Sequence, residues 1–200
     1  MLTQALREAK QTETPLKAAV FRDETAAEMD ISKTDFDSVQ FTGCRFESCD
    51  FSGANFYTVL FENCDFSNCN FSGSYWKSGL IRSCKGAGSS FGQAYFKETR
   101  MEGSSLPYAN FVNTTWVGCA LTDCNFREAF WSEVKPGKLK LSHIDFTRAD
   151  FYKTPLKGID LSDCTIEGIL FSETYAELRG VKMNMFQAAC IAQILGIEIK

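Results

Sequence analysis

Residues 44–73 read CRFES CDFSG ANFYT VLFEN CDFSN CNFSG, successive blocks of five with a phenylalanine at the centre of each. The period extends far beyond this stretch. Counting by fives from Phe36 to Phe171, the 28 central positions hold 15 Phe, all three Trp, five Leu, two Ile and one Met. Gly86 and Pro136 alone break the run, and of the 18 Phe in the chain only Phe130 falls out of phase. Two residues before the centre, 24 of 28 side chains are small, and eight of the nine cysteines lie there: Cys44, Cys49, Cys64, Cys69, Cys84, Cys119, Cys124 and Cys164. The other three positions of each block are polar or variable. A helix repeats its apolar positions near 3.6 and a strand at 2, so a period of five fits neither element alone. Two inward residues followed by three outward ones describe a chain that turns a corner every five residues. Four corners close a coil of about twenty residues, and stacked coils pair their backbones at the ordinary strand spacing of about 4.8 Å.

The rest of the composition sets bounds. With 200 residues, 44% hydrophobic and 23% charged, the chain is long enough to bury a core and too apolar to be disordered. It holds no apolar run long enough to span a membrane, and its first residues lack the apolar stretch of a secretory signal. A cytoplasmic protein without membrane contact is therefore expected. A net charge of −4 argues against general, direct nucleic-acid binding.

The blocks CRFES, CDFSG, ANFYT, CDFSN, CNFSG, CNFRE, ADFYK and IDLSD resemble the A(D/N)LXX consensus of pentapeptide-repeat proteins. The resemblance covers roughly residues 21–176. It implies an all-β fold, a right-handed quadrilateral β-helix, here with a short C-terminal helix. Three segments are expected: an N-terminal cap over 1–20, the β-helix over 21–180, and a C-terminal helix and strand over 181–200 that dimerise. Leu2 to Lys10 read as a short helix covering the open first coil. The five-residue phase runs without a visible insertion from Phe21 to Phe186, and Gly86 and Pro136 read as distorted corners.

After residue 176 the period dissolves into YAELRGVKMNMFQAACIAQILGIEIK. Asn184 and Gln187 have the spacing of a capping box. Phe186, Cys190, Ile191, Ile194 and Leu195 fall on one apolar helical face, Gly196 suits a C-cap, and Ile197 to Ile199 read as a final strand. This tail, with LKGIDLS and ILFSE before it, resembles the C-terminus of Qnr-type quinolone-resistance proteins, most like the members that lack projecting loops, some of them from Gram-positive bacteria. The resemblance implies a homodimer joined tail to tail, with Phe186, Cys190, Ile191, Ile194, Leu195 and Ile197 at the interface. It also implies a partner, DNA gyrase or topoisomerase IV, which such proteins bind as mimics of duplex DNA and protect from fluoroquinolones. Self-immunity against a topoisomerase-directed peptide or natural product, and a purely structural scaffold, are the other readings.

Catalytic and metal chemistry find no support in the residues. Cysteines five apart lack the C-x₂-C spacing of zinc sites and read as small core residues. His143 is the lone histidine and has no nucleophile motif beside it. The KGAGSS run lacks the order of a phosphate loop. No catalytic residue, metal or cofactor is expected. Charge is more informative: from Arg22 to Phe71 there are ten acidic and three basic residues, whereas Ser72 to Lys157 carries twelve basic and seven acidic. The candidate partner contacts are accordingly Asp35, Asp37, Asp50 and Asp65 on the acidic coils. The outward aromatics Tyr75, Tyr95 and Phe130 are the alternative, with Tyr75 and Tyr95, twenty apart, expected to stack. A bulge near Pro136 is one way to bury Phe130.

Overall fold

The computed structural model describes residues 1–199. Its backbone is a parallel β-solenoid with four faces and a register of twenty. On the first face, strands Leu16–Lys17, Asp35–Asp37, Asn55–Tyr57, Tyr75–Lys77, Tyr95–Lys97, Thr115–Val117 and Lys135–Gly137 form one seven-stranded parallel sheet. On the second, Val20–Arg22, Gln40–Thr42, Leu60–Glu62, Leu80–Arg82, Arg100–Glu102, Ala120–Thr122 and Lys140–Ser142 form another. The third face begins with Thr25–Ala27 paired to Arg45–Glu47 and continues as single bridges from Asp65 to Thr165. The fourth is bridges throughout, from Asp30↔Asp50 to Asp150↔Leu170. Leu16 pairs with Phe36, so the ladder already takes in residues of the N-terminal segment.

The corners have one repeated cause. Every fifth residue from Glu13 to Gly158, two after each centre, is left-handed, and most are not glycine: Asp23 (φ 54°), Thr58 (55°), Tyr108 (60°) and His143 (50°) are examples. A non-glycine residue in this region costs about 1–2 kcal/mol. The ladder offsets that cost, because the N–H of most such residues reaches the next coil, as Thr58 does to the Lys77 carbonyl at 2.9 Å.

Inside, the central residues stack coil upon coil. On the first face Phe36–Phe56, Phe56–Trp76 and Phe96–Trp116 lie 5.0, 4.0 and 4.0 Å apart between ring centroids. On the fourth, Phe51–Phe71, Phe71–Phe91, Phe91–Phe111 and Phe111–Trp131 keep 4.8, 4.9, 5.0 and 4.9 Å. Such pairs add about 0.5–1.5 kcal/mol each beyond their burial. Phe171, at the end of the stack, is only partly buried.

Neither Gly86 nor Pro136 distorts a corner. Gly86 keeps the ladder through its N–H to the Ser105 carbonyl at 2.9 Å, and the Phe66 ring fills the space where its side chain would stand. Pro136 sits in a regular strand paired with Thr115–Val117. That strand is the last of its sheet, where a residue without an N–H is tolerated because no further strand needs one. No bulge forms there, and Phe130 stays 48% exposed.

The phase does not run unbroken to Phe186: it shifts by two residues between Leu170 and Lys182, where the sequence period also fades. Asp150 pairs with Leu170 at a spacing of twenty, but Asp160 pairs with Lys182 at twenty-two. The extra chain forms the 3₁₀ turn Ala176–Leu178. Glu177 plugs this detour: it is buried and accepts the N–H groups of Lys153 (2.7 Å) and Ser172 (3.2 Å) and the Ser172 hydroxyl (3.0 Å). Burial pushes its carboxyl up, but these bonds outweigh burial and leave it below the ordinary range.

Helices close both ends. α1 (Leu2–Thr12) buries Leu2, Leu6 and Ala9 against the first coil, and Lys10 ties it down through the Ser32 carbonyl (2.6 Å) and Asp30 (3.2 Å). α2 (Met185–Ile194) starts with the expected capping box of Asn184 and Gln187. The final strand is not formed: among the described residues Ile197 to Ile199 have no ladder partner. Neither helix is long and apolar enough to cross a membrane.

Candidate protein-binding surfaces

Because five residues turn the chain by one face, side chains share a column only when twenty apart. Tyr75 and Tyr95 meet that condition and stack, with centroids 5.6 Å apart and planes 19° from parallel. Tyr57 of the preceding coil lies 5.8 Å from Tyr75. The three rings form an outward aromatic strip on the first face.

The four candidate carboxylates do not form one line. Asp35 and Asp37 are on the first face, Asp50 on the fourth and Asp65 on the third. They encircle three adjoining faces of the N-terminal coils. Each is also tied to its surroundings. Asp50 accepts the N–H of Ser52 (2.8 Å) and the amide of Asn70 (3.0 Å), Asp65 accepts the N–H of Ser67 (3.0 Å), and Asp35 accepts the amide of Asn55 (2.7 Å). Asn70, Asn110 and Asn125 make the same turn-closing bond elsewhere, so an amide serves this structural role as well as a carboxylate does. On the fourth face Phe130 stands between Asn110 and Asp150.

At the C-terminal end α2 lies across the last coils on two side chains. Gln187 is buried and donates to the carbonyls of Leu161 and Cys164, both at 2.7 Å, while Ile191 is buried beside it. Ile191 therefore faces the chain's own rod. Phe186 (74% exposed), Cys190, Ile194, Leu195 and Ile197 face outward, joined by Met185. Sequence periodicity alone could not separate Ile191 from its neighbours, because the docking residue Gln187 is polar.

The cysteines are core residues. All nine are free thiols and eight are buried. Burial pushes Cys124 up to about 11 and Cys164 to about 12, which leaves them as unreactive thiols at neutral pH. In the stacked pair Cys49 and Cys69 one thiol donates to the other, lowering Cys49 and raising Cys69. Among the described residues no group of His, Cys, Asp and Glu is placed to hold a metal ion. His143 lies outward, 3.4 Å from Asp123.

The family model described as pentapeptide repeats (8 copies) matches twice, over the overlapping residues 27–56 and 34–73. Among solved structures, full-length QnrB1, a plasmid-mediated fluoroquinolone resistance protein, is 22% identical, with 90% of this chain and 99% of that chain covered and a TM-score of 0.45. HetL from the cyanobacterium Nostoc sp. strain PCC 7120, a pentapeptide repeat protein involved in heterocyst differentiation regulation, is 9% identical over 88% of this chain and 92% of that chain, with a TM-score of 0.37. A search of curated protein sequences finds no match. Residues 27–73 answer to the family model and the same five-residue unit turns every corner from Glu13 to Gly158, so the chain has the pentapeptide-repeat fold.

Proposed function

We propose that this chain is a non-catalytic binding protein of the Qnr type, which occupies a DNA-binding surface of DNA gyrase or topoisomerase IV and so protects the enzyme from fluoroquinolones. It acts in the cytoplasm as a homodimer joined through α2. The observation that carries the reading is the C-terminal segment, where the sequence most resembles that group. There α2 spends Gln187 and Ile191 on its own rod and leaves Phe186, Ile194, Leu195 and Ile197 exposed for a second copy. A symmetric, closed association covers such a patch.

The acidic coils suggest how a partner is engaged. Asp35, Asp37, Asp50 and Asp65 lie on three adjoining faces, so a partner that meets all four surrounds the N-terminal end as a channel surrounds a rod. Long-range attraction from a basic channel speeds such an encounter and weakens as salt rises.

A gyrase supercoiling assay with ciprofloxacin tests the function. Rescue of supercoiling by low-micromolar protein is the expected result. Rescue only against a peptide or other natural toxin assigns immunity instead, and no rescue without gyrase binding leaves a scaffold. Replacing the four aspartates by Asn should slow association while the fold stays intact. If that variant protects normally and Phe130→Ala or Tyr95→Ala does not, the aromatic side chains carry the contact.

A further inference from the structure

The first face carries opposite charges at its two ends. Asp35 and Asp37 lie on one coil, and Lys135 and Lys138 lie five coils further on, about 24 Å away at the ordinary strand spacing. Among the described residues none of the four is within ion-pairing distance of an opposite charge, although seven such pairs form elsewhere on the rod. Midway between these ends stand Tyr75 and Tyr95, stacked and outward. The face is flat, being the outer side of a regular sheet, and among the described residues no other element contacts its strands from Asp35–Asp37 to Lys135–Gly137.

We propose that this face binds a second copy of the chain in antiparallel register, about a two-fold axis that passes between Tyr75 and Tyr95. A two-fold axis across the rod keeps each column facing itself and reverses the order of coils. Asp35 then meets Lys135 of the other copy, Asn55 meets Thr115, and Tyr75 meets Tyr95. In the next column Tyr57 meets Val117, and Asp37 lies over Gly137, whose missing side chain leaves room for Asp37 to reach Lys138. Every one of these contacts occurs twice, as a self-complementary interface requires. One pairing opposes the association: Lys77 faces Lys97 of the other copy. The buried area is that of a narrow face, below the roughly 800 Å² per partner of stable complexes, so the association is weak and led by charge. It uses neither α2 nor the residues exposed around it, and is independent of the tail-to-tail contact.

Sedimentation velocity of the full chain, run in parallel with Ile194→Glu to remove the tail contact, measures it. In the Ile194→Glu background, self-association should be present at about 0.1 M salt and lost at about 1 M, where screening shortens to about 3 Å. Asp35→Lys with Asp37→Lys should weaken it at least about tenfold, and adding Lys135→Asp with Lys138→Asp should restore it. Lys77→Glu should tighten it. A monomer at both salt concentrations overturns the proposal. So does a charge reversal without effect, or a swapped variant that stays monomeric while its thermal unfolding matches the parent.

Discussion

Ala129→Ser should stabilise this protein, although it places a polar atom in a fully buried position. The reason lies in how the three tryptophans differ. The indole N–H of Trp76 donates to the Ser74 hydroxyl at 2.8 Å, and that of Trp116 to the Thr114 hydroxyl at 3.0 Å. Trp131 is equally buried, but the residue two before it is Ala129, and its N–H has no partner. An unsatisfied buried donor costs about 1–3 kcal/mol. A hydroxyl at 129 fits, because the same column carries Cys49, Cys69 and Ser89 on earlier coils. It has an acceptor of its own too: Ser89 donates to the carbonyl of Phe66, 23 residues back, and the equivalent carbonyl for 129 is that of Leu106. The expected gain is about 1–2 kcal/mol. For a chain of this length that is a rise of about 3–6 °C in melting temperature. Ala109→Ser is the control, since it adds the same hydroxyl beneath Phe111, which has no N–H to satisfy. Thermal unfolding of both variants gives the answer as a difference. If Ala129→Ser is no more stable than Ala109→Ser, the Trp131 indole does not carry the stated cost and the reasoning fails.

Glu177 is held below the ordinary carboxylate range, so its contribution is complete above that range and is lost as pH falls through its folded value. Melting temperature measured from about pH 6 to about pH 3 should therefore fall less for Glu177→Gln than for the parent, with the variant less stable at the upper end. Gly86→Phe restores the repeat consensus yet should destabilise by about 3 kcal/mol in urea titration, because a Cβ there meets Phe66 at 2.4 Å and Leu106 at 3.2 Å. Thr58→Asn should raise stability by about 1 kcal/mol, since Asn visits the left-handed region at lower cost than a β-branched residue and already fills that corner position at 63, 68 and 113.

The five-residue period made the solenoid legible because it is a core signal, whereas the detour at Ala176–Leu178 and the inward turn of Ile191 were not, because the buried residues that fix them, Glu177 and Gln187, are polar and carry no period.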